Sequence, residues 1–543
     1  MKGAFLLLAA VAAAAQTHDH AAMAGPAKAA LPIAGLGTYH HAIATSSAEA
    51  QKLFDRGLTL YYGFNHDEAI RAFERAAKLD PKSPMPLWGK SLSLGRNYNR
   101  DEMPDLEKAA YETLQKAREL AANAPENERA YVRALAARYS ADEKADHKKL
   151  ALAYKNAMGD LMRQYPDDLD AATLYAEAAM NLRPWQLWNK DGSPAEGTPE
   201  IVEVLEQVLA RDPMHVGANH YYIHAVEASP HPERALPSAS RLEMLVPAAG
   251  HLVHMPAHIY GRVGDHDASA NSNARAAEAD RAYIKASGEK GMYPLMYYSH
   301  NLHFLVEADK MRGNYAGAKA QAELLAANVR PAVKEMAMLE PFFVTPWFVA
   351  LRFGHWQDML SAPAPDPSMK VVTALWRYSR GVALACSGHA DGAKRERDAF
   401  AAAAKDAPAD GPYGNNTVGN VLALAALVLD ARIAAAEGDH SSAIEHWKKA
   451  VAAQDDLAYD EPPGWYYPTR ESLGGELLRA SRFAEAERVF RDDLNANPRN
   501  PRSLFGLAEA LAAQKKSADE AWVRAEFRKA WRHADVKLTD GDL

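Results

Sequence analysis

The chain carries one cysteine in 543 residues, Cys386, so no internal disulfide can hold it together. Cys386 lies in the Ala-rich stretch ALACSG, which offers nothing to make it a nucleophile. Blocks of basic charge are missing too. The formal net charge is -8, spread along the chain, which argues against nucleic acid as a partner. No GxGxxG, Walker loop, GxSxG or HExxH occurs, so classical nucleotide-binding and hydrolase readings have no support. Hairpin dipeptides are scarce, and no long alternating pattern marks a strand. Past the N-terminus, no unbroken apolar run approaches the ~18 residues of a spanning helix, so no transmembrane segment is expected. What these absences leave is an all-α chain, stabilised by packing alone.

The N-terminus reads MKGAFLLLAAVAAAAQ. One Lys before a short apolar run, with small residues at 13–15, is the pattern of a secretory signal peptide over residues 1–15. The expected location is therefore the periplasm, or outside, of a bacterium. Residues 16–37 are rich in Ala, Gly and Pro and lack a helical stripe, so they read as a flexible lead. Its HDHAAM piece reads as a solvated tail, although it has the residues to catch a metal ion. The tail 537–543 closes the chain.

Between them, 38–536, runs a repeat. In AQKLFDRGLTLYYGFNHDEAIRAFERAAKLDP, Gly57, Ala69, Phe73, Ala76 and Pro81 give small, small, aromatic, small and Pro positions. Small residues let two antiparallel helices approach, the aromatic fills the gap to the next pair, and Pro ends the second helix. Gly474, Ala486, Phe490 and Pro498 repeat the pattern near the end. The pattern resembles the 34-residue tetratricopeptide repeat family, which implies a right-handed α-solenoid of helix pairs. Starts near 216, 250, 299, 340, 374, 424, 467 and 501 leave several gaps longer than 34 residues, implying extended helices or inserted loops. Two inserts stand out, 183–200 and 405–417. The phrases NHYYIHAVEASPHPERAL, GHLVHMPAHIYGRVGD and EPPGWYYPTRESLGGELLRA are similar to those of exported bacterial tetratricopeptide-repeat proteins. That resemblance implies an envelope solenoid and carries no activity.

The chemistry-bearing residues concentrate in one stretch. Nine of the 21 histidines fall between His220 and His303, where an even spread would put about three. In the repeat family the groove is lined by positions 2, 5, 9 and 12 of each first helix, one helical face. That register places His220, His224 and Glu227, then His251, His254 and His258, then His300, His303 and Glu307 on one inner wall. His231 and His266 fall in turns. Pro256 challenges the middle helix, since proline is poorly tolerated inside one, and suggests that it starts close to Leu252.

Histidines at i and i+3 or i+4 can share a metal ion, and packed helices bring further imidazoles within reach. Seven nitrogen ligands exceed one tetrahedral site, so two ions, or one ion with the other imidazoles as hydrogen-bond partners, would use them. An all-imidazole set suits copper, zinc or iron. Glu227 and Glu307 are candidate bases on a metal-bound water. Tyr221, Tyr222, Tyr260, Tyr297, Tyr298 and Met255 lie among the histidines and otherwise fill core. The alternative is a scaffold that binds a protein or peptide in its concave groove, with structural histidines. Tyr39-His40-His41, His66, and the aromatics of Trp185, Trp188 and 461–470 read as packing and loop-tacking elements.

Overall fold

The structure, a computed structural model, describes residues 31–543. The signal peptide expected at 1–15 and the first part of the lead, 16–30, lie outside the described residues. The described chain is a succession of antiparallel helix pairs, from Ala48–Tyr62 with His66–Leu79 to Pro501–Ala513 with Ser517–Ala530. The strands found are a two-residue pair, Pro412–Tyr413 with Asn416–Thr417, inside the insert expected at 405–417.

The pairs pack as the residue pattern requires. The Phe73 ring lies so close to Gly57 of its own pair and Gly89 of the next that a methyl group at either would overlap it. Phe490 occupies the same place between Gly474 and Gly506. Helix starts carry short polar caps: Asn65 accepts from Glu68 N, Asp265 from Ala268 N and Asn314 from Gly317 N. The longer spacings arise from the 22-residue helix His266–Ser287, the hairpin at 412–417 and the loop 456–468. Val418–Ala436 is long and apolar enough to cross a membrane by length and composition, but 56% of that window is buried inside the protein. Asp430 and Arg432 interrupt its apolar run, and Asp430 pairs with Arg397. Its apolar face forms core between neighbouring pairs.

The apolar core divides into two large clusters, one from Leu36 to Ile259 and one from Ala277 to Leu543. The chain curls so that its C-terminal part returns to the middle. Lys310 donates to Tyr466 O, Asp535 accepts from Tyr315 N and Ala316 N, and Arg532 pairs with Asp267. Arg352 and Glu471 form a buried ion pair across the same seam. Both ends of the solenoid are docked. Residues 31–37, expected as part of a flexible lead, bind through Leu31 N to Glu68 and Gly35 O to Ala248 N. The C-terminal tail buries Leu543 against Gly475.

The segment just before the first helix makes a buried polar anchor. His41 Nδ1 lies 2.7 Å from Asp170 Oδ2, and the hydroxyls of Tyr39 and Tyr62 donate to Asp170 Oδ1. Burial pushes the His41 ring down, but the carboxylates of Asp170, Asp168 and Asp55 outweigh it and lift the ring to about 9. A folded pKa above the unfolded value means the contribution is full below pH 6.5 and is lost as pH rises through 9. The shift corresponds to about 3 kcal/mol. Thermal melts should therefore show the protein losing stability between pH 6.5 and 9.5. His41→Asn should be less stable at pH 6.5 and lack that part of the alkaline loss.

Candidate metal centre

Three helices bring the histidines together. Val216–Val226 carries His220 and His224, with Glu227 at its C-terminal end. The next first helix is interrupted at Met255, giving Gly250–His254 and Pro256–Arg262. Met255 keeps helical angles (φ -50°, ψ -37°), so the path continues and His254 and His258 share a face despite the proline. His251 lies in the first turn, so this helix begins two residues before Leu252, the start that Pro256 suggests. The third helix, Ser299–Met311, carries His300 and follows a π-helical turn at Tyr293–Tyr298.

Six imidazoles form two groups, His220 with His224 and His251, and His254 with His258 and His300. Within each group the ligand nitrogens lie within 4.8 Å of one another. His220 Nε2 faces His251 Nε2 at 3.1 Å, and His254 Nε2 faces His258 Nε2 at 2.7 Å. The opposite nitrogens are tied down. His220 Nδ1 donates to Tyr62 O at 2.6 Å, His224 Nδ1 to Glu227 Oε1 at 2.9 Å and His254 Nδ1 to Asn273 Oδ1 at 2.6 Å. A proton on Nδ1 leaves the Nε2 lone pair free, which is the state a metal requires. His224 Nε2 is buried with no hydrogen-bond partner among the described residues.

The centre is closed. His220, His224, His251, His254 and His258 are each at most 1% exposed. Phe64 packs on His220, His224 and His251, and Phe304 on His254, His258 and His300. Tyr98 and Trp185 cover His224, and Tyr297 meets His251 edge-on. Burial, then neighbouring imidazoles, push His220, His224, His251, His254 and His300 well below the usual histidine range. His258 goes the other way. Burial opposes its charge, but Glu461 and Glu227 outweigh burial and lift it to about 10.

No protein-family profile matches the chain, and no curated protein matches it. Solved structures do. The human IFIT1 dimer with m7Gppp-AAAA is 12% identical over 91% of this chain and 92% of that one, with a TM-score of 0.31. Yeast Tom70 is 12% identical, covers 88% of this chain and 99% of its own, and gives 0.31. The TPR domain of P58(IPK) is 14% identical over 82% and 99%, at 0.21. The residue-level packing of Phe73 and Phe490 between paired glycines is that of the repeat read from the sequence. The fold is a solenoid of tetratricopeptide-type helix pairs.

Of the seven histidines expected on one wall, the structure brings six into the two groups and sets the seventh apart. His303 packs on Phe342 of the next pair, and burial, then Lys310, push it down to about 3. Glu307 is held by Lys310 at 2.6 Å and belongs to neither group. Glu227 does reach the centre. Met255 is apolar core, while Tyr221 lies against His220. The expected open groove is replaced at these residues by a buried pocket wall. The loops carrying Trp185 and Glu461 cover it, through Trp185 on His224 and Glu461 at His258.

Glu461 was not legible as a site residue. It heads the EPPGWYYPTR run, whose aromatics tack the loop down: Tyr466 stacks on Phe348 and meets Tyr378 OH at 2.9 Å. That fixed loop delivers the Glu461 carboxylate to His258 Nδ1, at 2.5 Å. An acid directly before a Pro- and aromatic-rich run was the available signal, though Asp460 beside it shares that feature.

Proposed function

We propose that this solenoid is a transition-metal-binding protein that holds two ions. One is held at Nε2 of His220, His224 and His251, the other at Nε2 of His254, His258 and His300. The observation that carries the reading is the orientation of the rings. Three of them, His220, His224 and His254, are anchored through Nδ1 on oxygen acceptors; Nε2 of His220 and of His254 then faces another Nε2, and Nε2 of His224 is left without a hydrogen-bond partner among the described residues. Metal-ligating histidines are oriented in this way, and a cluster of purely structural imidazoles has no need of it. Three imidazoles per ion suit copper, zinc or iron. The secretory start expected at 1–15 puts this binding outside the cytoplasm.

Elemental analysis of the protein purified without a His tag or chelator tests the reading. About two equivalents of copper, zinc or iron per chain are expected for two three-imidazole sites. A folded protein that takes up none of the three overturns it. A finer test leaves the ligands untouched. Asn273→Ala removes the acceptor of His254 Nδ1 and should weaken one ion's binding by about 10–100-fold. Competition with a chromophoric chelator measures it, and an unchanged affinity would show that this hydrogen bond serves packing only.

A further inference from the structure

His258 differs from the anchored histidines beside it. Its Nε2 faces His254 Nε2 at 2.7 Å and belongs to the second imidazole group. Its Nδ1 lies 2.7 Å from Glu227 Oε2 and 2.5 Å from Glu461 Oε2. Neither carboxylate oxygen lies along the ring's N–H direction, and His258 Nδ1 has no hydrogen-bond partner among the described residues. Glu227 Oε2 and Glu461 Oε1 are also buried without hydrogen-bond partners. The corresponding contacts of His220, His224 and His254 are aligned hydrogen bonds. Two oxygens therefore surround one ring nitrogen instead of one oxygen accepting from it.

Charge sharpens the point. Glu227 is 1% exposed and Glu461 8% exposed, and together they bring two carboxylates into a closed space. The groups facing them are His258, His224 (through Glu227 Oε1) and Arg262. Arg262 spends its Nε–H on the backbone carbonyl of Glu227 and stacks on Tyr459, and it forms no ion pair with either carboxylate. One imidazole stands against two buried carboxylates, so it can offset at most one of their charges and leaves the other without an ion-paired side chain among the described residues.

We propose that Glu227, His258 and Glu461 hold a third divalent cation, in a mixed carboxylate–imidazole site that shares the His258 ring with the neighbouring imidazole group. The set of two oxygens and one nitrogen takes zinc or manganese, with ligand distances of about 2.0–2.2 Å. The His258 ring would serve both sites, Nε2 toward the imidazole group and Nδ1 here, each nitrogen giving up its proton to solvent as it binds. Because Glu461 stands 203 positions from His258 in the sequence, the ion also ties the C-terminal part of the solenoid to its middle. The proposal rests on the two-ion reading only in sharing His258.

The test is zinc stoichiometry on the full-length, untagged protein after dialysis against excess zinc and removal of loosely held metal. The wild type should retain about three zinc ions per chain, and Glu461→Gln about two, with its far-UV circular dichroism unchanged. If both retain about two, the mixed site is overturned while the two-imidazole-group reading stands. If neither retains any, both fall. Should Glu461→Gln fail to fold, the wild-type count alone decides, because about two ions rather than three overturns the mixed site.

Discussion

His220→Ala, His224→Ala and His251→Ala combined should remove about one metal equivalent per chain and leave the ion of the other histidine group in place. The effect is all-or-none because the three rings supply every nitrogen of that group. The fold should survive, since each ring is held by one hydrogen bond or by aromatic contacts, while the helices rest on apolar packing outside the cluster. A single alanine tests less, because water can replace one lost ligand. The pH dependence of the same group is distinctive. Metal needs the neutral ring, and exposed histidines begin to lose that form near pH 6.5. Burial holds these three rings well below their usual range, so protons compete weakly for them. The ion bound there should remain as pH falls from 7 to 5.5, where histidines in solution are already charged. Equilibrium dialysis over that range checks it, and release centred on pH 6.5 would place the metal on exposed histidines instead.

The parts of this centre that could be read from the sequence are those set by local periodicity. Gly57, Ala69, Phe73 and Ala76 declare their pair because their contacts lie within about one repeat. His220 with His224, and His254 with His258, declare a shared face because four residues make about one helical turn. The reading weakens where contacts depend on how successive pairs are rotated. His303 follows His300 by three positions on the same helix and satisfies the same face rule, yet it packs on Phe342 of the next pair instead of joining the imidazoles. Glu307 obeys the rule as well, but its nearest partner is Lys310, three residues on and on the same surface of the helix. Closure of the centre depended on the whole curl of the solenoid. Nothing local in 456–468 says that this loop lands on His258, because the landing is set by Lys310 with Tyr466 and by Arg352 with Glu471.

That dependence gives the second large effect. Glu471→Ala should destabilise the protein by about 3–5 kcal/mol, the usual result of stranding one member of a buried ion pair. Arg352 donates through both terminal nitrogens to the two Glu471 oxygens, and Asn500 donates to Oε1 at 2.8 Å. Arg502 ties the same corner by donating to Arg352 O at 2.6 Å. With Glu471 gone, the Arg352 charge remains 6% exposed beside Arg502, and the nearby Glu307 carboxylate is already paired with Lys310. Replacing both partners, Arg352→Met with Glu471→Leu, should recover most of the loss, because the penalty lies in the stranded charge rather than in the missing bond. The site would report the same event. Glu471 follows Glu461 by ten residues, across the loop that Tyr466 and Trp465 pin to the core, so loosening one end frees the other. Limited proteolysis should cut within 456–468 in Glu471→Ala much faster than in the wild type or the double variant. Chemical denaturation measures the stability difference directly. If the single and double variants proved equally unstable, the corner would be held by shape rather than by charge.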